Sequence, residues 1–243
     1  MPMLNSMFGD LADELWLGWM AVCGVAWGAW MQRVQTRVMA RLQNDGLADA
    51  QADTTFRAPA VSRHSAVRSW PLLASHSLIW LACAAHGPNV SSAVAWAVWA
   101  STLLSLSVID WQTTYLPDAL TLPLLCGGLL ASALSWIATP LDQALLGAVL
   151  GYGLLWIVAT AFARVTGKEG MGGGDFKLLA AMGAWLGPMA LLPVLWLASC
   201  AGAALGWWWQ RRGVWPAGSA MPFGPFLSAA ACIVAWHPLA LGL

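Results

Sequence analysis

The sequence predicts an all-α polytopic membrane protein of about eight transmembrane helices, and three observations predict it. The 243 residues are 59% hydrophobic and only 9% charged, with a mean hydropathy of +0.66; soluble domains carry about 25% charged residues. Uncharged runs fill residues 15–32, 69–109, 119–141, 143–163, 178–210 and 213–243. One crossing needs about 20 apolar residues, so the longest runs hold two each. Every Lys and Arg falls within residues 33–68, 164–177 or 211–212, while the connections near 86–92, 139–142 and 187–189 have none. That asymmetry marks the three basic clusters as the cytoplasmic side.

Taken in order, the first apolar run follows Asp10, Asp13 and Glu14 and precedes Arg33, Arg37 and Arg41. This reverses the charge order of a cleaved signal peptide, so the run is expected to stay in the membrane with its N-terminus outside. Residues 33–70 are polar and too short to bury a core of their own. They read as a cytoplasmic loop with room for one amphipathic helix continuing from the first span. Residues 71–243 read as the transmembrane core, with both chain termini on the outer side. Gly187-Pro188 breaks the 178–210 run, since proline cannot continue a helix through itself. The sixth helix is therefore short, about 176–187. Eighteen Trp suit interfacial belts and bundle filling.

Composition excludes several functions. The net charge is zero and no basic block interleaves with aromatics, so nothing points to nucleic acid. Cys23, Cys83, Cys126, Cys200 and Cys232 lie in apolar runs without CxxC spacing. They read as small buried hydrophobes rather than metal ligands. His64, His76, His86 and His237 show no ligand spacing either.

Two acids stand out. Asp110 closes an apolar run in SVIDWQTTYLPDALTLPLL, and Asp175 sits in GKEGMGGGDFKLLAAMGAWLG. An acid at the edge of a bilayer is costly and is a functional hypothesis by default. Asp110 falls at the C-terminal end of its helix, where the helix dipole disfavours a negative charge. Asp175 starts the sixth helix, where it could cap free N–H groups. Gly170, Gly172, Gly173 and Gly174 precede it, and glycine lets another backbone approach. Asp118, between Pro117 and an apolar run, reads as a helix cap. Lys177 reads as snorkelling to the interface or as pairing with an acidic substrate; Lys168 and Glu169 read as solvated loop charges. Two carboxylates on one face can perform aspartic-protease chemistry. A proton-coupled transporter would also use membrane acids, but repeated halves are not evident. A non-catalytic subunit of a secretion machine would not need either acid.

These residues carry a resemblance. IDWQTTYLPDALTLPLLCGGLL and GKEGMGGGDFKLLAAMGAWLG are similar to the two signature regions of type IV prepilin peptidases, and MPFGPFLSAAACIVAW at 221–236 resembles that family's C-terminal segment. The family consists of GxGD-type intramembrane aspartic proteases, and the likeness covers most of residues 95–240. It implies that Asp110 and Asp175 are the catalytic pair, with Gly172, Gly173, Gly174, Asp118 and Lys177 in a supporting loop. The implied substrates are type IV prepilins or type II secretion pseudopilins, whose basic leader is cut at the cytoplasmic face of the bacterial inner membrane. The peptidase needs no cofactor. The resemblance also implies N-methylation of the new N-terminus from S-adenosylmethionine. Many members carry two CxxC pairs in the first cytoplasmic loop; residues 33–70 contain none, so no zinc is expected.

Overall fold

A computed structural model of the chain describes residues 2–52, 69–167, 172–213 and 221–236. Residues 53–68 of the expected cytoplasmic loop, with His64, lie outside the described residues, as do Lys168, Glu169, Gly170 and His237. The described residues form eight α-helices in chain order: α1 (Pro2–Ala52), α2 (Ser69–His86), α3 (Val90–Thr113), α4 (Asp118–Ala133), α5 (Leu141–Thr166), α6 (Gly173–Leu186), α7 (Leu191–Arg211) and α8 (Gly224–Trp236). A single 3-10 turn, Pro188–Ala190, precedes α7.

The all-helical expectation is met, but the expected crossings are refined. Three described helices are long and apolar enough to cross a bilayer: α3, α5, and α7 with its preceding turn. The 14 residues of α6 span only about 21 Å at 1.5 Å each, short of a hydrocarbon core of about 30 Å. The first helix runs on through the basic stretch to Ala52, so residues 33–52 are helical, a continuation that the sequence reading had allowed for. The chain separates into two compact units, Met1–Ser101 and Thr102–Leu243. The division falls within α3.

In the first unit α1 packs on α2 around Met20, Trp80, Cys83, Ala93 and Ala97, with Trp16, Trp27 and Trp96 partly buried against them. The Trp80 indole N–H donates to Ser101 Oγ at 3.1 Å, which gives a buried ring the polar partner it requires. Bundle filling, expected for part of the Trp content, is thus seen directly.

In the second unit α6 is the hub. It packs against α4, α5, α7 and α8, and every residue from Leu178 to Trp185 is buried. A helix apolar on all sides belongs inside a bundle. Its small residues let neighbours close in. Gly183 meets Gly147 of α5 backbone to backbone, and a Cβ on either glycine would collide with the carbonyl of the other. Gly147 and Gly151 form a small-xxx-small pair, the spacing that lets membrane helices touch. Trp185 closes the other side by donating its Nε1–H to the Leu124 carbonyl of α4 at 2.8 Å. Its own carbonyl accepts from Thr139 Oγ1 at 2.8 Å. Gly187, at φ 79°, ends α6 beside Pro188, as the Gly-Pro pair predicts.

The outer helices show a membrane protein's surface. Leu146, Val149, Leu150, Trp156, Ile157 and Val158 of α5 are exposed, as are Leu192 and Trp196 of α7. Contiguous apolar exposure on this scale is not tolerated in water. The cysteines only partly match the sequence expectation. Cys83 is buried, but Cys126 and Cys200 are exposed, because their helices turn those faces outward toward lipid.

Candidate active site

Asp110 lies in the last turn of α3 and is 4% exposed; Asp175 lies in the first turn of α6 and is 9% exposed. About 65 residues apart in sequence, the two carboxylates come within electrostatic reach of each other inside the second unit. The fold therefore assembles the pair that the sequence singled out.

Asp110 has a partner that the sequence reading missed. The backbone N–H of Gly224, first residue of α8, donates to Asp110 Oδ2 at 2.8 Å. This resolves the misfit of an acid at the negative end of α3: the positive N-terminal end of α8 is brought against it. Glycine is required there by space. A Cβ on Gly224 would sit 2.8 Å from Asp110 Oδ2 and 3.2 Å from Cγ. The PFGPFL segment was visible in the sequence as part of the family likeness. Nothing local in it, however, names which residue of the other helices it touches.

Asp175 is not a helix cap. The N-cap of α6 is Gly172 in extended conformation, and no side chain caps the helix. Asp175 stands three residues further on, its N–H donating to the Gly172 carbonyl at 3.3 Å. A Cβ on Gly172 or Gly173 would meet nothing within 4 Å, whereas one on Gly174 would come 2.8 Å from Leu116 Cβ. Packing thus accounts for Gly174, and open space lies beside the first two.

Asp118 is not a cap either. Pro117 occupies the N-cap of α4 without a side-chain cap bond, and Asp118 is the first helical residue. Its carboxylate instead accepts from Lys177 Nζ at 2.6 and 2.7 Å. Lys177 is one-third exposed, and its amine is committed to this pair rather than snorkelling freely. Both readings failed for one reason: the partner lies on another helix, 59 positions away.

Aromatic contacts set the level of the site. Trp111, next to Asp110, packs edge-on against Trp209 near the end of α7, ring centroids 5.5 Å apart. Arg211 and Arg212, which follow after Gln210, stack over Trp207 and Trp208 at 4.0 and 4.4 Å. Among the described residues no three His, Cys, Asp or Glu side chains gather to hold a metal ion.

Residues 97–207 match the model of the type IV leader peptidase family, so the resemblance carried by the two aspartate segments holds over that stretch. A prepilin leader peptidase/N-methyltransferase of Burkholderia pseudomallei (strain 1026b) is 46% identical over 157 residues, 65% of this chain and 50% of the relative. Proteins of the same name from Aeromonas hydrophila and Aeromonas salmonicida (strain A449) are 44% and 50% identical. Those alignments cover 67% and 54% of this chain and 58% and 45% of the relatives. The chain spans about half the length of the curated relatives it matches. No solved structure matches it.

Proposed function

We propose that this chain, which carries a type IV leader peptidase segment over residues 97–207, is a membrane aspartic endopeptidase. It removes the basic leader from type IV prepilins or type II secretion pseudopilins. The observation that carries the reading is the pairing of buried Asp110 and Asp175, with Asp110 anchored by the Gly224 amide.

The chemistry follows from two close carboxylates, which cannot both ionise cheaply and so share one proton. Water held between them gives a proton to Asp110, whose Oδ1 is the oxygen not engaged by Gly224, and its oxygen attacks the scissile carbonyl carbon. Asp175 donates its proton to the carbonyl oxygen as the tetrahedral intermediate forms. The intermediate collapses when Asp110 passes its proton to the amide nitrogen, which leaves as the amine, while a hydroxyl of the gem-diol returns its proton to Asp175 as the C=O of the new carboxyl group forms, so the pair again holds one shared proton. The open space beside Gly172 and Gly173 gives the extended substrate backbone room next to Asp175.

On this reading the chain crosses the bacterial inner membrane about eight times, with both termini periplasmic and the site facing the cytoplasm. Support for the side comes from Trp111 against Trp209, which puts Asp110 level with the basic cluster Arg211–Arg212. A proton-coupled transporter is not favoured, because the relatives are named leader peptidases.

Those names also include N-methyltransferase, and methylation of the new N-terminus is the second activity proposed. The cavity of about 330 Å3 between α5, α7 and the start of α8 is lined by aliphatic and aromatic side chains and Ser199. It offers no acid to hold a ribose, the usual anchor for a nucleoside. Among the described residues this cavity is therefore not where S-adenosylmethionine would be held.

The reading is tested by co-expressing a prepilin with the wild type, Asp110→Asn or Asp175→Asn and weighing the N-terminus of the product. Asn keeps volume and polarity but cannot cycle a proton. Each variant should stay in the membrane and leave the leader uncut; near wild-type cleavage by either refutes the pair.

A further inference from the structure

Lys177 and Asp118 form an ion pair whose place matters more than its strength. Nζ reaches both carboxylate oxygens, at 2.6 and 2.7 Å, yet the side chains are 33% and 51% exposed. Exposed pairs of this kind add little to stability. What this one joins is specific. Lys177 is half a turn beyond Asp175 on α6, and Asp118 is the first residue of α4. Residues 114–117 lead to Asp118 directly from the end of α3, the helix that carries Asp110. The Asp110 carbonyl itself accepts the Thr114 N–H at 2.7 Å as that strap begins. The links Asp110, strap, Asp118, Lys177 and Asp175 therefore close a ring whose ends are the two catalytic carboxylates.

Two further observations say that the ring is held taut. Leu116, inside the strap, packs its side chain on Gly174, the residue before Asp175. Asp175 is thus gripped from both sides, through Gly174 and through Lys177. Thr114 has φ 52°, in the left-handed region that a β-branched residue rarely adopts. Such a backbone persists only where its surroundings over-determine it. Here those surroundings are the ion pair and the Leu116 contact at the far end of the strap, with Thr114 Oγ1 donating to the Thr113 carbonyl at 2.6 Å.

We propose that Lys177 and Asp118 are positioning residues: their ion pair draws the strap onto the start of α6 and sets Asp175 at working distance from Asp110. Neither touches the reacting atoms. The proposal rests on the leader-peptidase reading of the site and adds to it the device that fixes the spacing of the carboxylates. Misplacing a catalytic group by about 1 Å can cost on the order of 100-fold in rate, so a clamp weak in stability can still be strong in catalysis.

The test compares the wild type, Lys177→Met, Asp118→Asn and the exchanged pair Asp118→Lys with Lys177→Asp, purified and supplied with a prepilin. Each single variant should lower kcat about 10- to 100-fold with KM changed less than about twofold and the melting temperature nearly unmoved. The exchanged pair should recover a large part of kcat. Single variants with wild-type kcat overturn the proposal. So does a change confined to KM, which would make these residues substrate contacts, or one confined to melting temperature, which would make them structural. Failure of the exchanged pair to recover kcat also overturns it. A second measurement needs no catalysis: Asp110→Cys with Asp175→Cys, the five native cysteines replaced, is treated with a short bismaleimide. The cross-link should form, fall severalfold on adding Lys177→Met, and return with the exchanged pair; an unchanged yield overturns the clamp. If the wild type cuts no prepilin, the leader-peptidase reading fails, and the cross-link still decides the clamp.

Discussion

Gly224→Ala should disable the site while leaving the fold intact. The new methyl carbon would lie 2.8 Å from Asp110 Oδ2, 3.2 Å from Cγ and 3.4 Å from Cβ. Unbonded carbon and oxygen prefer to stay well over 3 Å apart, so the carboxylate has to retreat by several tenths of an ångström. In retreating it stretches the 2.8 Å bond from the Gly224 N–H. Hydrogen bonds to charged groups contribute about 1.5–3 kcal/mol, and each 1.36 kcal/mol of barrier is about tenfold in rate. The expected loss in kcat is therefore about 10- to 100-fold. The helix does not suffer in parallel, since Gly224 opens α8 without a left-handed backbone that Ala would resist. The assay is the initial rate of leader removal from a purified prepilin in detergent, beside a thermal melt of each enzyme. Gly202→Ala is the control: its Cβ would meet Phe226 Cδ2 at 3.7 Å, an ordinary contact, so both rate and melting should stay close to wild type. If Gly224→Ala folds normally and cleaves at the wild-type rate, the Gly224 amide does not hold Asp110 in its working position.

Gly183→Leu should leave little folded protein, because its side chain would run into the Gly147 backbone. Overpacking a tight core costs about 1–3 kcal/mol or more, and a fluorescence-detected size-exclusion profile reads the loss; a normal profile would mean that α5 and α6 are not in backbone contact. Cysteines introduced at residues 45–60 should be labelled by an impermeant thiol reagent only from the cytoplasmic side, and those at residues 88–90 only from outside. The reverse pattern would put the carboxylate pair on the wrong face for cytoplasmic leader cleavage. Membranes incubated with prepilin and isotopically labelled S-adenosylmethionine should place label on the cleaved N-terminus. Complete cleavage without label, under conditions where a bifunctional relative transfers it, would reduce this chain to a peptidase alone.

The sequence by itself determined whatever acts over a few residues. Hydropathy dictated helices in the apolar runs that the structure describes, since unpaired backbone polar groups are not tolerated in hydrocarbon. The Gly187-Pro188 pair ended α6 where the ring of proline forbids helix and the left-handed glycine turns the chain. Asp110 and Asp175 were legible because an acid beside a long apolar run is costly enough to demand a reason. The sequence misjudged roles that depend on a distant partner. Asp118 and Asp175 both have the local look of helix caps, yet Asp118 serves Lys177 and Asp175 lies within electrostatic reach of Asp110. Gly224 was one glycine among 24 until α8 was seen to present its amide to a carboxylate 114 positions earlier. Helix formation is governed by neighbours within a turn or two, and one chain records it. Which helix faces which is decided by the packing of the whole bundle, through small residues such as Gly147 and Gly183 that fix how closely backbones approach.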